Sequence, residues 1–197
     1  MKAMVISDIH GGIKYLEEAL SKFIEEKADR LLILGDFAGY FSSSSDYEVA
    51  EALNKIADKI CAVRGNCDSE RFEEMLNFGL MDIRSINLNK NIITLTHGHL
   101  YNKYNLPEYC GDIFISGHTH YGMIDKQQTR IFANPGSISR PRNGSQRSYL
   151  IIDESKIILK NLEGKVLVEE NINEWEDCRG NVYGKCCRGK VPPLPAK

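Results

Sequence analysis

Residues 4–12 read Met4-Val5-Ile6-Ser7-Asp8-Ile9-His10-Gly11-Gly12, an apolar run that ends on a carboxylate, an imidazole and two glycines. Residues 2–7 suit a short buried strand. Directly after it, residues 15–27 carry Leu16, Ala19, Leu20, Phe23 and Ile24 at the spacing of one helical face. The pattern then repeats. Residues 31–34 form a second apolar strand closed by Gly35-Asp36, and residues 47–59 return to helical spacing through Val49, Leu53 and Ile56. Residues 60–63 are a third strand, stopping at Arg64-Gly65-Asn66. Helices of this length between short strands imply right-handed crossovers and a parallel sheet.

The second half changes character. Residues 83–88 and 91–96 flank Asn89-Lys90 as the two arms of a hairpin. Further strands are expected at 113–116, 121–126, 129–133, 148–153, 156–162 and 165–171. Two packed sheets with helices outside, a layered α/β sandwich, account for this order. The serine run at 42–45 is expected to be a loop.

At 197 residues the chain has the size of one domain, and 42% hydrophobic with 26% charged residues is the balance of an ordinary globule. No apolar run approaches the roughly 20 residues needed to cross a bilayer. Asp8 interrupts the N-terminus before a signal-peptide core could form, so a cytoplasmic location is expected. Cys61, Cys67 and Cys110 have no paired spacing, which fits a reducing compartment.

The net charge of −2 offers no basic field for a dedicated nucleic-acid partner, but it conceals a break. Residues 1–177 carry −7, and residues 178–197 carry +5 with Cys178, Cys186, Cys187 and three prolines. The functional domain is therefore expected to span 1–172, with 173–197 a disordered tail or residues added to the native chain.

Each histidine lies just after an apolar run. His10 follows the first strand, His97 and His99 follow Ile92-Ile93-Thr94-Leu95, and His118 and His120 follow Ile113-Phe114-Ile115. Asp8, Asp36 and Asn66 occupy the same position on the first three strands. In open α/β sheets the crevice beyond the carboxyl ends of the strands is where sites form. Residues two apart on an extended segment point the same way, so Asp8 with His10, and His118 with His120, can converge. Carboxylate, imidazole and amide together suit borderline divalent ions such as manganese, iron, zinc or nickel. A carboxylate between two sets of ligands can bridge two ions, the arrangement used for phosphoryl hydrolysis, and Asp36 is the candidate.

Asp8-Ile9-His10, Gly35-Asp36, Gly65-Asn66-Cys67-Asp68, His97-Gly98-His99 and Gly117-His118-Thr119-His120 resemble, in order and spacing, the signature blocks of the calcineurin-like metallophosphoesterases. The short chain, the Cys of the third block and residues 134–142 (Asn134 to Arg142) resemble the small prokaryotic phosphodiesterases of the YfcE type. The resemblance covers about residues 1–172. It implies a four-layer α-β-β-α sandwich of two mixed sheets. It also implies one metal on Asp8, His10, Asp36 and His120, and a second on Asp36, Asn66, His97 and His118. Two divalent cations, manganese first among them, would then activate a shared hydroxide for in-line attack on a small or nucleotide-like phosphodiester, with Asn66 stabilising the added charge. A homo-oligomer is a further expectation of the resemblance.

Many relatives place His where this chain has Cys67, and that imidazole is taken to protonate the leaving oxygen. A thiol is a poor substitute at neutral pH. Cys67 is therefore either a modified catalytic position or a small packing residue. His99 is a candidate for substrate contact or for orienting His97. Asp68 is expected to cap a helix starting near Ser69, Asn134-Pro135-Gly136 to be a turn, and Arg140 and Arg142 to be solvated or to reach a phosphate. The competing functions are a non-catalytic protein-interaction scaffold of the same fold and a phosphomonoesterase.

Overall fold

The computed structural model describes residues 1–39, 44–88, 90–127 and 130–172. The expected tail from residue 173 and positions 42 and 43 of the serine run lie outside them. Two mixed sheets form the body. The first has six strands in the order β11-β10-β9-β1-β2-β3: β1 (Ala3–Ile6), β2 (Arg30–Ile33), β3 (Ile60–Ala62), β9 (Ser148–Ile152), β10 (Lys156–Asn161) and β11 (Val166–Asn171). The second has five in the order β4-β5-β6-β8-β7: β4 (Ile83–Leu88), β5 (Asn91–Thr96), β6 (Ile113–Ser116), β7 (Gly122–Lys126) and β8 (Ile131–Pro135).

The alternation of side chains along each strand builds two cores. Val5, Leu32, Leu150 and Ile157 of the first sheet meet Ile93, Leu95, Ile113 and Ile131 of the second in a layer of fully or nearly fully buried aliphatics. On the other face of the first sheet, Met4, Ile6, Leu31 and Ile33 receive α1 (Ile13–Glu25) through Leu16, Ala19 and Phe23. They also receive α2 (Ser44–Asn54) through Val49, Ala50 and Leu53. The outer face of the second sheet carries Thr94, Phe114 and Phe132, and the Gly111 N–H donates to Thr94 Oγ1 there at 2.8 Å. That side is therefore closed in part by the non-helical chain between β5 and β6.

The expected α/β sandwich of two mixed sheets is present, and the 83–88/91–96 hairpin pairs as read. Some boundaries differ. The second helix starts at Ser44, inside the serine run, where the buried Asp46 accepts the Gly39 N–H at 3.0 Å. It stops at Asn54, and the chain continues in a 3-10 turn at Ala57–Lys59. The strand expected at 129–133 is β8, two residues later, ending on Pro135 where a missing N–H costs no ladder bond.

Topology places the chemistry. β1, β2 and β3 run parallel, and so do β5, β6 and β8. The carboxyl ends of both parallel sets carry the acids, amide and imidazoles singled out in the sequence, and the sandwich brings them to one crevice.

Candidate metal centre

The loops that leave those strands are unusual in their backbone. Asp8, His10, Asp36, His118 and His120 all have positive φ, between 46° and 66°. These are five of the seven non-glycine residues with that conformation among the described residues, and each costs about 1–3 kcal/mol unless its surroundings enforce it. The surroundings are tight. A Cβ on Gly65 would stand 2.2 Å from Asp36 N, and one on Gly117 would stand 2.0 Å from Ser7 Oγ. The loops after β2 and β3, and those after β1 and β6, are pressed together at positions where only glycine fits.

Asp8, His10, Asp36 and His120 form the centre. Their ligand atoms all lie within 4.8 Å of one another, and all four residues are buried. His10 Nε2 and His120 Nε2 face each other at 3.2 Å, and His120 Nε2 lies 3.3 Å from Asp8 Oδ1. Asp36 continues the cluster in both directions: Oδ2 is 3.6 Å from His10 Nε2, and Oδ1 is 3.4 Å from His97 Nε2. His97 Nε2 in turn lies 3.1 Å from Asn66 Oδ1 and 3.2 Å from His118 Nδ1. All seven expected ligands therefore meet, with Asn66 and His118 on the exposed side.

Main-chain carbonyls orient the imidazoles. His97 Nδ1 donates to Leu34 O at 2.6 Å and His120 Nδ1 donates to Arg140 O at 2.7 Å. A proton is thereby fixed on each Nδ1, and Nε2 is turned toward the cluster. The Asn66 amide is turned the same way, its Nδ2 donating to Cys67 Sγ at 3.4 Å so that Oδ1 faces His97. Asp8 Oδ1, buried, has no hydrogen-bond donor. Carboxylate and amide oxygens and imidazole nitrogens converge from every side, which is the donor set a divalent cation requires once it displaces the protons they share.

The electrostatics call for positive charge. Burial pushes Asp8 up to about 6, against the pull of His97 and His120. Burial also holds His10 down to about 4, with the charges of His120 and Arg140 adding to it. Asp36 is buried too, yet its hydrogen bond to His97, that ring's charge and the Cys67 N–H (2.9 Å) hold it well below the usual carboxylate range. His97 is raised despite its burial, because Asp36 favours a proton on it.

Several readings change. Asp68 does not cap the short helix α3 (Glu70–Glu73); Ser69 does, its Oγ accepting the Phe72 N–H. Asp68 instead accepts from Asp36 N at 2.9 Å, Phe37 N at 2.7 Å and Gly65 N at 2.8 Å, tying the second loop to the third. Asp68→Ala would strand those N–H groups, and it is expected to cost about 2–3 kcal/mol. The midpoint of thermal unfolding should fall by roughly 5–10 °C. An unchanged midpoint would refute the clamp.

Asn134 belongs to β8 and is buried, and its amide donates to Gly117 O at 2.7 Å and Thr119 Oγ1 at 3.1 Å. The following residues, Ser137 and Ser139, both donate to Asp8 O. What reads as a turn thus fastens two ligand loops. His99 lies beside His97 and His118, with ring centroids 5.4 and 6.2 Å away. Leu34, not His99, orients His97. Cys67 stays a thiol, pushed up to about 12 by burial and the charges of Asp36, Asp68 and Asp8.

Residues 1–156 match the model of the calcineurin-like phosphoesterase superfamily domain. The chain belongs to that family. It is 35% identical over 178 residues to the phosphodiesterase YfcE of Escherichia coli K12, covering 86% of this chain and 97% of the relative. The solved structure of E. coli YfcE, described as a phosphoesterase, superposes with a TM-score of 0.82 at 34% identity, over 88% of this chain and all of that one. A Vps29 structure from Entamoeba histolytica, complexed with zinc, gives 0.64 at 22% identity, over 88% and 100%, and shares the fold. Membership makes this calcineurin-like chain a phosphoric ester hydrolase and the Asp/His cluster a divalent-metal site. No helix among the described residues is long and apolar enough to cross a membrane.

Proposed function

We propose that the protein is a phosphodiesterase working with two divalent cations, manganese first among the candidates, on small or nucleotide-like diesters. The supporting observation is the placing of Asp36: one carboxylate oxygen faces His10, in the buried half with Asp8 and His120, and the other faces His97, in the half with Asn66 and His118. A carboxylate so shared is what a pair of ions needs to sit close together. When bound, such a pair supplies a nucleophilic oxygen at neutral pH and positive charge against the phosphoryl group.

The chain's own groups do the rest. Leu34 and Arg140 carbonyls keep the rings from swinging, and the exposed Asn66 amide presents a donor edge where charge builds up on phosphorus oxygens. Cys67, held as a thiol, offers no ready proton to a basic leaving alkoxide. Diesters with acidic leaving groups are the natural consequence. Intact ligands in this arrangement weigh against a purely scaffolding role.

Chelator-treated protein titrated with manganese, with hydrolysis of bis-p-nitrophenyl phosphate as readout, tests the reading. Turnover should appear with metal and saturate near two ions per chain; none at any metal concentration would overturn it. Cys67→His should raise the ratio of p-nitrophenyl phosphate to bis-ester hydrolysis about tenfold or more, because an imidazole there can protonate a poorer leaving group. An unaltered ratio would remove position 67 from leaving-group chemistry.

A further inference from the structure

One flank of the metal centre has the opposite charge from the rest of the domain. Between Asp125 and Asp153 the chain contains no acid, yet it carries Arg140, Arg142 and Arg147 in the connection from β8 to β9. Across from this connection α1 begins, three residues after the ligand candidate His10, with Lys14 in its first turn and no acid there. The two segments touch: Gly12 packs on Ser139, and the Tyr15 ring lies 3.4 Å from where a Gly12 Cβ would stand. The Arg147 guanidinium lies over the Tyr15 ring at 4.1 Å, and Lys14 Nζ lies 5.8 Å from the same centroid. Arg142 N donates to His120 O, so its loop abuts a ligand directly.

These cations are not used as the others are. Lys2 and Lys160 share Glu26, Arg64 has Glu73 and Lys22 has Glu25. Among the described residues Lys14, Arg142 and Arg147 have no acidic partner, and the buried Arg147 Nε makes no hydrogen bond. Their placement is also costly in itself. A lysine in the first turn of α1 opposes the helix dipole. Like charges gathered on one aromatic ring repel one another. An anion in their midst would relieve both penalties.

Resting on the phosphodiesterase reading, we propose that this rim is a second phosphate subsite, formed by Lys14, Arg142 and Arg147 beside Tyr15. The preferred substrate is then a phosphodiester with a further phosphate on one arm. One ester group is cleaved at the metal centre while the other phosphate is held at the rim. The same field draws such polyanions toward a domain whose net charge would otherwise repel them.

The test compares the p-nitrophenyl ester of thymidine 5′-phosphate with the same compound phosphorylated at the 3′ oxygen, using the manganese-loaded full chain. The phosphorylated ester should show KM lower by about tenfold with similar kcat. In Lys14→Ala/Arg147→Ala the ratio of kcat/KM between the two esters should fall toward one. Equal KM values in the parent protein, or a preference that survives the double substitution, would overturn the subsite. Calorimetric binding of thymidine 3′,5′-bisphosphate against thymidine 5′-phosphate repeats the comparison without turnover. A protein that hydrolyses neither ester yet favours the bisphosphate tenfold upholds the subsite and refutes the phosphodiesterase; one that favours neither refutes both.

Discussion

Asp36→Ala should lower hydrolysis of bis-p-nitrophenyl phosphate by at least about a thousandfold, equivalent to about 4 kcal/mol of transition-state stabilisation. The carboxylate faces both halves of the centre, so its loss removes a ligand from each. It also leaves the Cys67 N–H without its acceptor. Asp36→Asn is the sharper variant. The amide oxygen can keep the Cys67 N–H, which turns the NH2 group toward His10, where a donor repels a cation. Metal content should then fall from two ions to one per chain, with the His97 half still filled. Activity above a tenth of the parent value in either variant would remove Asp36 from its shared position.

Gly65→Ala should be nearly as damaging without touching a ligand. The added methyl carbon would stand 2.2 Å from both the N and Oδ1 of Asp36, and no side-chain rotation relieves the first of these. Either the loop after β3 retreats, carrying Asn66 with it, or the loop after β2 does. Overpacking of this kind costs about 1–3 kcal/mol in stability. The displacement alone, if near 1 Å, is worth about a hundredfold in rate. Activity and thermal midpoint should fall together, and manganese should restore only part of the midpoint. A variant with parental turnover would show that the two loops have room to spare.

The legible part of this molecule was the part written in side chains. Imidazoles and acids at the tips of apolar runs announced both the parallel strands and the polar residues that gather beyond them, because a polar group at the end of a buried strand has few other reasons to recur five times. Asp68, Asn134, Ser137 and Ser139 were visible as residues but not in their roles. Each acts on a loop distant in sequence, and nothing local distinguishes a carboxylate that caps the next helix from one that reaches back 32 residues to Asp36. The glycine contacts were hidden for the same reason: a close approach belongs to two segments at once. The start of α2 was misplaced because two serines and a buried Asp46 carry no helical periodicity.

The supports of His97 and His120 left no trace in the sequence at all, since Leu34 and Arg140 act through carbonyl oxygens that every amino acid possesses. The two rings are thus gripped by the peptide itself. Evolution can rewrite Arg140, and exchange the buried Leu34 for another apolar residue, without loosening the grip, provided the path of the chain is kept. Tolerance at 140 and intolerance at 65 and 117 would then be two faces of one design, a cage whose bars are drawn in backbone and whose lock alone is spelled out.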